Sequence, residues 1–340
     1  MSNSLAKPID HYISIDLVIC TYNNAALLDR ALTAISKQQV PDHVKWTVLV
    51  VNNNCTDETS QVVDRYIQSQ KIPYLSTVSE AKQGLNHARL CGVNNTTGDW
   101  IAFVDDDCML QEDWVAQAAK FAIAHPDCGA FGGKVILDWE TPPPAFVLNY
   151  GYSFAQQDHG MSAIQPNCLV GAGLVLNRKA ILDTHWVNKQ FLSDRVGKKL
   201  ISGGDVEIVL RIRSAGYDIW YNPACKLMHF IPSRRTEPKY LVNINYGLGI
   251  SQLMSDGLVW HSSYLTLLLV SVFSTFRSSV DVFVKALKVA LGRGNMEVAE
   301  IAIIWAFVRG KWAGIGRIIR MDVQERRALL GSAKLVSSNN

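Results

Sequence analysis

No C-x-x-C pair occurs in this chain, and its seven cysteines, an odd number, lie scattered at Cys20, Cys55, Cys91, Cys108, Cys128, Cys168 and Cys225. That spacing speaks against a zinc framework or a disulfide scaffold, so reduced cytosolic thiols are the expectation. Glycine-rich phosphate fingerprints are missing too. Neither G-x-G-x-x-G after the first strand nor G-x-x-x-x-G-K-[ST] is present, which removes the dinucleotide-binding and P-loop classes. The opening MSNSLAKPID carries no apolar core of the signal-peptide type. Strong charge of one sign is absent as well: the net is +3, and no nucleic-acid partner is implied. The charge is uneven, however. From Arg277 onward eleven basic residues face five acidic ones, and the rest of the chain is mildly acidic.

What is present is apolar material, 48% of 340 residues, enough for a large α/β domain with an appendix. Apolar runs at Ser14 to Cys20, Trp46 to Val51, Pro73 to Val78 and Trp100 to Val104 read as strands. Between them, helical spacing appears at Leu27, Leu28, Ala31, Leu32 and Ile35, with Asn23 or Asn24 as cap. It recurs at Val62, Val63, Tyr66 and Ile67, read as inward, and over Gly84 to Asn94. This alternation predicts a parallel sheet with right-handed crossovers. Three strands end in polar loops, after Cys20, Val51 and Val104, and in an open α/β sheet those ends share the ligand-binding edge. The third loop is Asp105, Asp106 and Asp107. In extended chain, residues i and i+2 point the same way, so Asp105 and Asp107 are expected to face one site while Asp106 points elsewhere. A solvated acidic turn accounts for the triplet equally well.

The segments CTYNN (20–24), VNNNCTDET (51–59), EAKQGLNHARLCGVNNTTGDWIAFVDDD (80–107) and GGDVEIVLRIRSAGYDIWYNP (203–223) resemble the motifs of family 2 glycosyltransferases. The resemblance runs from about Ser14 to about His229. It implies an α/β GT-A fold, that of nucleotide-diphospho-sugar transferases, with a Rossmann-like mixed sheet and here a C-terminal helical appendix. It also implies an inverting enzyme of polysaccharide biosynthesis. The expected division is a catalytic region over 1–240, with nucleotide-binding half 14–107 and acceptor-binding half 108–240, followed by helices over 241–340. Thr21, Tyr22, Asn23, Asn52, Asn54, Asp57, Glu80, Gly84, Arg89, Asp105 and Asp106 would hold the nucleotide sugar. Relatives usually carry Asp at the position of Asn52, against the base; Asn donates and accepts whereas ionised Asp only accepts. A UDP-sugar is the favoured donor.

The chemistry asks for a cation and a base. A leaving diphosphate needs Mn²⁺ or Mg²⁺, and oxygen ligands suit either. By the resemblance Asp107 and His229 ligate it, and Asp205 takes the proton from the acceptor hydroxyl. Read from the residues alone, Asp205 at a helix start is rather an N-terminal cap, and His229 rather a structural histidine. Glu207 supports the acceptor or the loop. Arg234 and Arg235, in a Pro-bounded basic loop, either close over the diphosphate or are solvated. A nucleotidyltransferase and a non-catalytic binding module remain as alternatives.

In the tail, 257–276 carries no Asp, Glu, Lys or Arg, close to the roughly 20 residues a span needs, but it is dense in Ser and Thr. Helices over Val280 to Leu291 and Val298 to Val308, apolar on one side and basic on the other, suit an anionic leaflet. The expected setting is therefore cytoplasmic and peripheral on the inner face of the membrane, with a glycan or lipid-linked acceptor.

Overall fold

A computed structural model describes residues 12–192, 203–260 and 262–331. The first half alternates as its periodicity dictates: β1 (Ile13–Thr21), α1 (Ala25–Ile35), β2 (Val44–Asn52), α2 (Thr59–Ser69), β3 (Leu75–Ser79), α3 (Leu85–Asn94) and β4 (Trp100–Asp105). The order β3-β2-β1-β4 is parallel throughout. Both faces of these strands are covered, so they read as continuous apolar runs rather than as alternation. One reading changes: Ile67 stands 37% exposed at the outer side of α2.

The second half extends the same sheet into a mixed, eight-stranded one. After β5 (Cys108–Leu110) and α4 (Trp114–Ala124) come β6 (Cys128–Trp139), a 3₁₀ segment over Ala145–Phe154, β7 (Leu174–Asn177) and α5 (Arg178–Asp183). Next are α6 (Gly204–Ser214) and β8 (Asp218–Ile231), giving the order β3-β2-β1-β4-β7-β6-β8-β5. Opposite Gly133 and Lys134 of β6 it is β8 that bulges: Gly133 pairs with Asn222 and Lys134 with Lys226, so Pro223 leaves the ladder without interrupting the strand.

Four helices follow: α7 (Pro238–Leu258), α8 (Tyr264–Ala290), α9 (Val298–Arg320) and α10 (Val323–Gly331). α7 and α9 touch backbone to backbone. A Cβ on Gly310 would lie 3.0 Å from the Gly249 Cα, and one on Gly249 would strike the Phe307 carbonyl. The uncharged run 257–276 is not one helix; it straddles the end of α7 and the first half of α8. Nor does a separate helix begin at Val280, since α8 runs unbroken to Ala290. Among the described residues α8 alone is long and apolar enough to cross a membrane.

Candidate active site

The carboxyl ends of β1, β2 and β4 share one edge, since Thr21 is in register with Asn52 and Cys20 with Asp105. Above that edge lies a cavity of about 700 Å³. The sheet stops at Asp105, and Asp106 and Asp107 form the turn before β5. The two-residue alternation therefore fails here. Asp106 does not point elsewhere: all three carboxylates line the cavity. Asp106 accepts from Thr21 Oγ1 at 2.7 Å and from Asn24 Nδ2 at 2.7 Å. Asn24 occupies the N-cap position of α1 without capping it, because its side chain is committed to Asp106. Burial, and after it the neighbouring charge of Asp107, push the Asp106 carboxyl up to about 7 against those two hydrogen bonds.

Asp107 sits between an imidazole and a guanidinium. His229 Nε2 is 3.2 Å from its Oδ1, and Arg235 Nη1 is 3.0 Å from its Oδ2. Pairing of Cys108 with His229 across β5 and β8 sets this neighbourhood. The Phe154 carbonyl, 2.8 Å from His229 Nδ1, fixes the ring so that Nε2 faces the carboxylate. Burial lowers the His229 pKa most, but the Asp107 charge and hydrogen bond together outweigh it and the net displacement is upward. Ligand atoms of Asp107, Cys108 and His229 lie within 4.8 Å of one another. A carboxylate with an orienting-bonded imidazole fits a divalent cation such as Mn²⁺ or Mg²⁺.

On the facing wall, α6 begins at the cavity with Asp205 in its first turn, released by Gly203 at φ 137°. Gly171 touches it: an added Cβ would lie 2.8 Å from Asp205 Oδ2 and 3.0 Å from Arg89 Nη2. Asp205 and Arg89 thus converge on one glycine. Glu207, one residue beyond Val206, faces away from the cavity. It accepts from the Phe191 and Leu192 amides and pairs with Arg211 at 2.7 Å, so it supports the loop.

At the β2 end, Thr21, Tyr22, Asn23 and Gly84 reach the cavity with Arg89, but Asn52, Asn54, Asp57 and Glu80 are absent from its lining. Each of these four is engaged in holding loops together. Asn52 Oδ1 accepts from Cys55 N, and Asn54 Nδ2 donates to Ala81 O. Asp57 accepts from Ala25 N, supplying the cap Asn24 withholds. Glu80 accepts from Lys82 N. The cavity is instead met by Asn53, which sequence reasoning passed over; its Oδ1 accepts from Gly84 N at 2.8 Å. Sequence carries no signal that separates Asn53 from Asn52, since Val50 and Val51 are equally buried. Also passed over were the aromatic and aliphatic residues opposite, Tyr152, Tyr240, Ile244 and Leu248, from the 3₁₀ segment and α7. Weak periodicity hid the first of these.

Residues 16–181 match the model of the family described as glycosyl transferase family 2. A glucosyl-dolichyl phosphate glucuronosyltransferase of Haloferax volcanii is 24% identical over 72% of this chain and 78% of its own. The succinoglycan biosynthesis protein ExoM of Rhizobium meliloti is 27% identical over 70% and 73%. Among solved structures, a mannosyltransferase from Pyrobaculum calidifontis with GDP-Man and Mn²⁺ superposes with a TM-score of 0.52. It is 17% identical, with 96% of this chain and 79% of that one covered. GalNAc-T7 with UDP, GalNAc and Mn²⁺ gives 0.52 at 12% identity, covering 73% and 51%. Residues 16–181 thus carry the match to glycosyl transferase family 2, and the chain is a glycosyltransferase of the GT-A fold.

Proposed function

We propose that this glycosyltransferase moves a sugar, with inversion, from a nucleotide-diphospho-sugar to a hydroxyl of a glycan or lipid-linked acceptor. The carrying observation is that Asp107 and Asp205, far apart in sequence, line one cavity of a size that accepts a sugar nucleotide. The Asn53 and Tyr22 end is the nucleotide side, with UDP favoured. The N-termini of α3 and α6 both border the cavity and present positive dipole ends toward a diphosphate. Asp107 and His229 would hold the divalent cation, which when bound offsets charge on the leaving diphosphate. Arg234 and Arg235 add positive charge from the same side. Asp205 takes the acceptor proton while the acceptor oxygen bonds to the anomeric carbon. The bond from that carbon to the diphosphate oxygen breaks, and its electron pair leaves with the diphosphate. One displacement inverts the centre. Residues 1–240 form the catalytic region in this reading and 241–340 a helical appendix, with the enzyme peripheral on the inner membrane face.

The test is diphosphate release from UDP-, GDP- and dTDP-sugars with Mn²⁺. One donor should turn over, and Asp107→Ala should abolish its use. Asp205→Asn should slow transfer by about 10²–10⁴ while donor affinity stays within about twofold. Turnover with none of the donors would favour a binding module.

A further inference from the structure

One helix of this molecule keeps an apolar face outside the fold. α8 spans 27 residues, about 40 Å at the usual rise. Only Leu267, Thr275 and Val282 of it are buried. Leu265, Leu269, Phe273, Phe276, Phe283 and Leu287 are all exposed, Phe273 at 70% and Phe283 at 68%. At about 100° per residue these six fall within an arc of about 80°, a single apolar stripe along the whole helix. Its margins are informative. On one side stand Arg277 and Lys288. On the other is Ser279, whose hydroxyl receives the indole N–H of Trp312 from α9 at 3.1 Å. The opposite face of the helix carries Ser274, bonded by Lys311 Nζ at 3.1 Å. Tryptophan thus adjoins the apolar stripe while Lys311 lies behind it.

Resting on the lipid-linked acceptor proposed above for its purpose, we infer that α8 lies in the plane of an anionic bilayer leaflet. Its apolar stripe enters the acyl boundary, Trp312 sits at headgroup level, and Arg277 and Lys288 reach anionic headgroups. A spanning helix is apolar all round, whereas α8 carries Arg277, Asp281, Lys285 and Lys288 along one side of its second half. Self-association fits less well than lipid. The only acidic residue on the helix, Asp281, already pairs with Lys285, leaving Arg277 and Lys288 to oppose their own kind in a second copy.

The experiment is flotation of the full chain with vesicles of phosphatidylcholine, alone or mixed with phosphatidylglycerol. Wild type should float with the mixed vesicles and weakly with the neutral ones. Phe276→Glu with Phe283→Glu, at sites 60% and 68% exposed, should weaken flotation by about tenfold or more. Leu182→Glu, at an exposed site on α5, should not. Equal flotation of wild type and double variant overturns the inference. So does resistance of membrane-bound protein to alkaline carbonate extraction, which means a span. So does a sedimentation shift from dimer to monomer in the double variant, which means a second copy. Turnover of soluble donor is read in parallel. Its absence strikes the transferase mechanism alone, whereas intact turnover without flotation strikes the membrane assignment alone.

Discussion

Asp57 and Arg211 show how polar side chains near the cavity are spent on holding it open. Asp57 accepts from Ala25 N, Thr59 N and Thr59 Oγ1. Burial raises its pKa, but the Thr59 and Ala25 hydrogen bonds together take it below the usual value. A lowered carboxylate stabilises the fold above the unfolded pKa of 3.8 and loses that contribution as pH falls through the folded value. Asp57→Ala should therefore lower stability by about 1 kcal/mol at neutral pH, and the difference should vanish in acid; urea melts across pH settle this. Arg211 is the buried partner of Glu207. Arg211→Ala strands that carboxylate and should cost about 3–5 kcal/mol in the same assay. Gly171→Ala drives a methyl against Asp205 and Arg89 and displaces both. It should cut the transfer rate about tenfold or more with little change in melting temperature, since the clash lies at the cavity wall.

At the scale of elements, the strongest constraint is the α7–α9 crossing. Gly249, Gly310 and Gly314 let two backbones meet, with Gly314 facing the Ile250 carbonyl. Gly310→Val forces the helices apart and should destabilise by about 1–3 kcal/mol, read as a lower thermal midpoint. Because Tyr240, Ile244 and Leu248 of α7 also line the cavity, the same change should raise acceptor KM while leaving donor affinity unchanged. The strands β1, β2 and β4 were readable because burial on both faces makes each a continuous apolar run bounded by polar residues. Asp16, a charge inside β1, was not explained by pattern. It accepts from Thr47 Oγ1 and the Thr97 amide and lies 3.5 Å from Arg178, so it pins the strand's entrance. The helix boundaries of the tail are not legible in the sequence, since uncharged composition carries no information about where a turn falls between α7 and α8.

Over the whole molecule, the chain's own order fixed much of its design. Alternating apolar runs set a parallel half-sheet, and the polar residues closing β1, β2 and β4 set which edge bears the site. The residue types of the proposed diphosphate site, carboxylates and a histidine, were also legible. Only tertiary structure decided which of them meet. The β5–β8 pairing brings His229 to Asp107, Arg235 arrives from beyond β8, and Gly171 brings Arg89 to Asp205. It also decided that Asn53 rather than Asn52 or Asn54 reaches the cavity, and that α8 keeps its apolar stripe outward. The reason is physical: periodicity reports the faces of one element, whereas a site and a docking surface are made where separate elements converge or fail to.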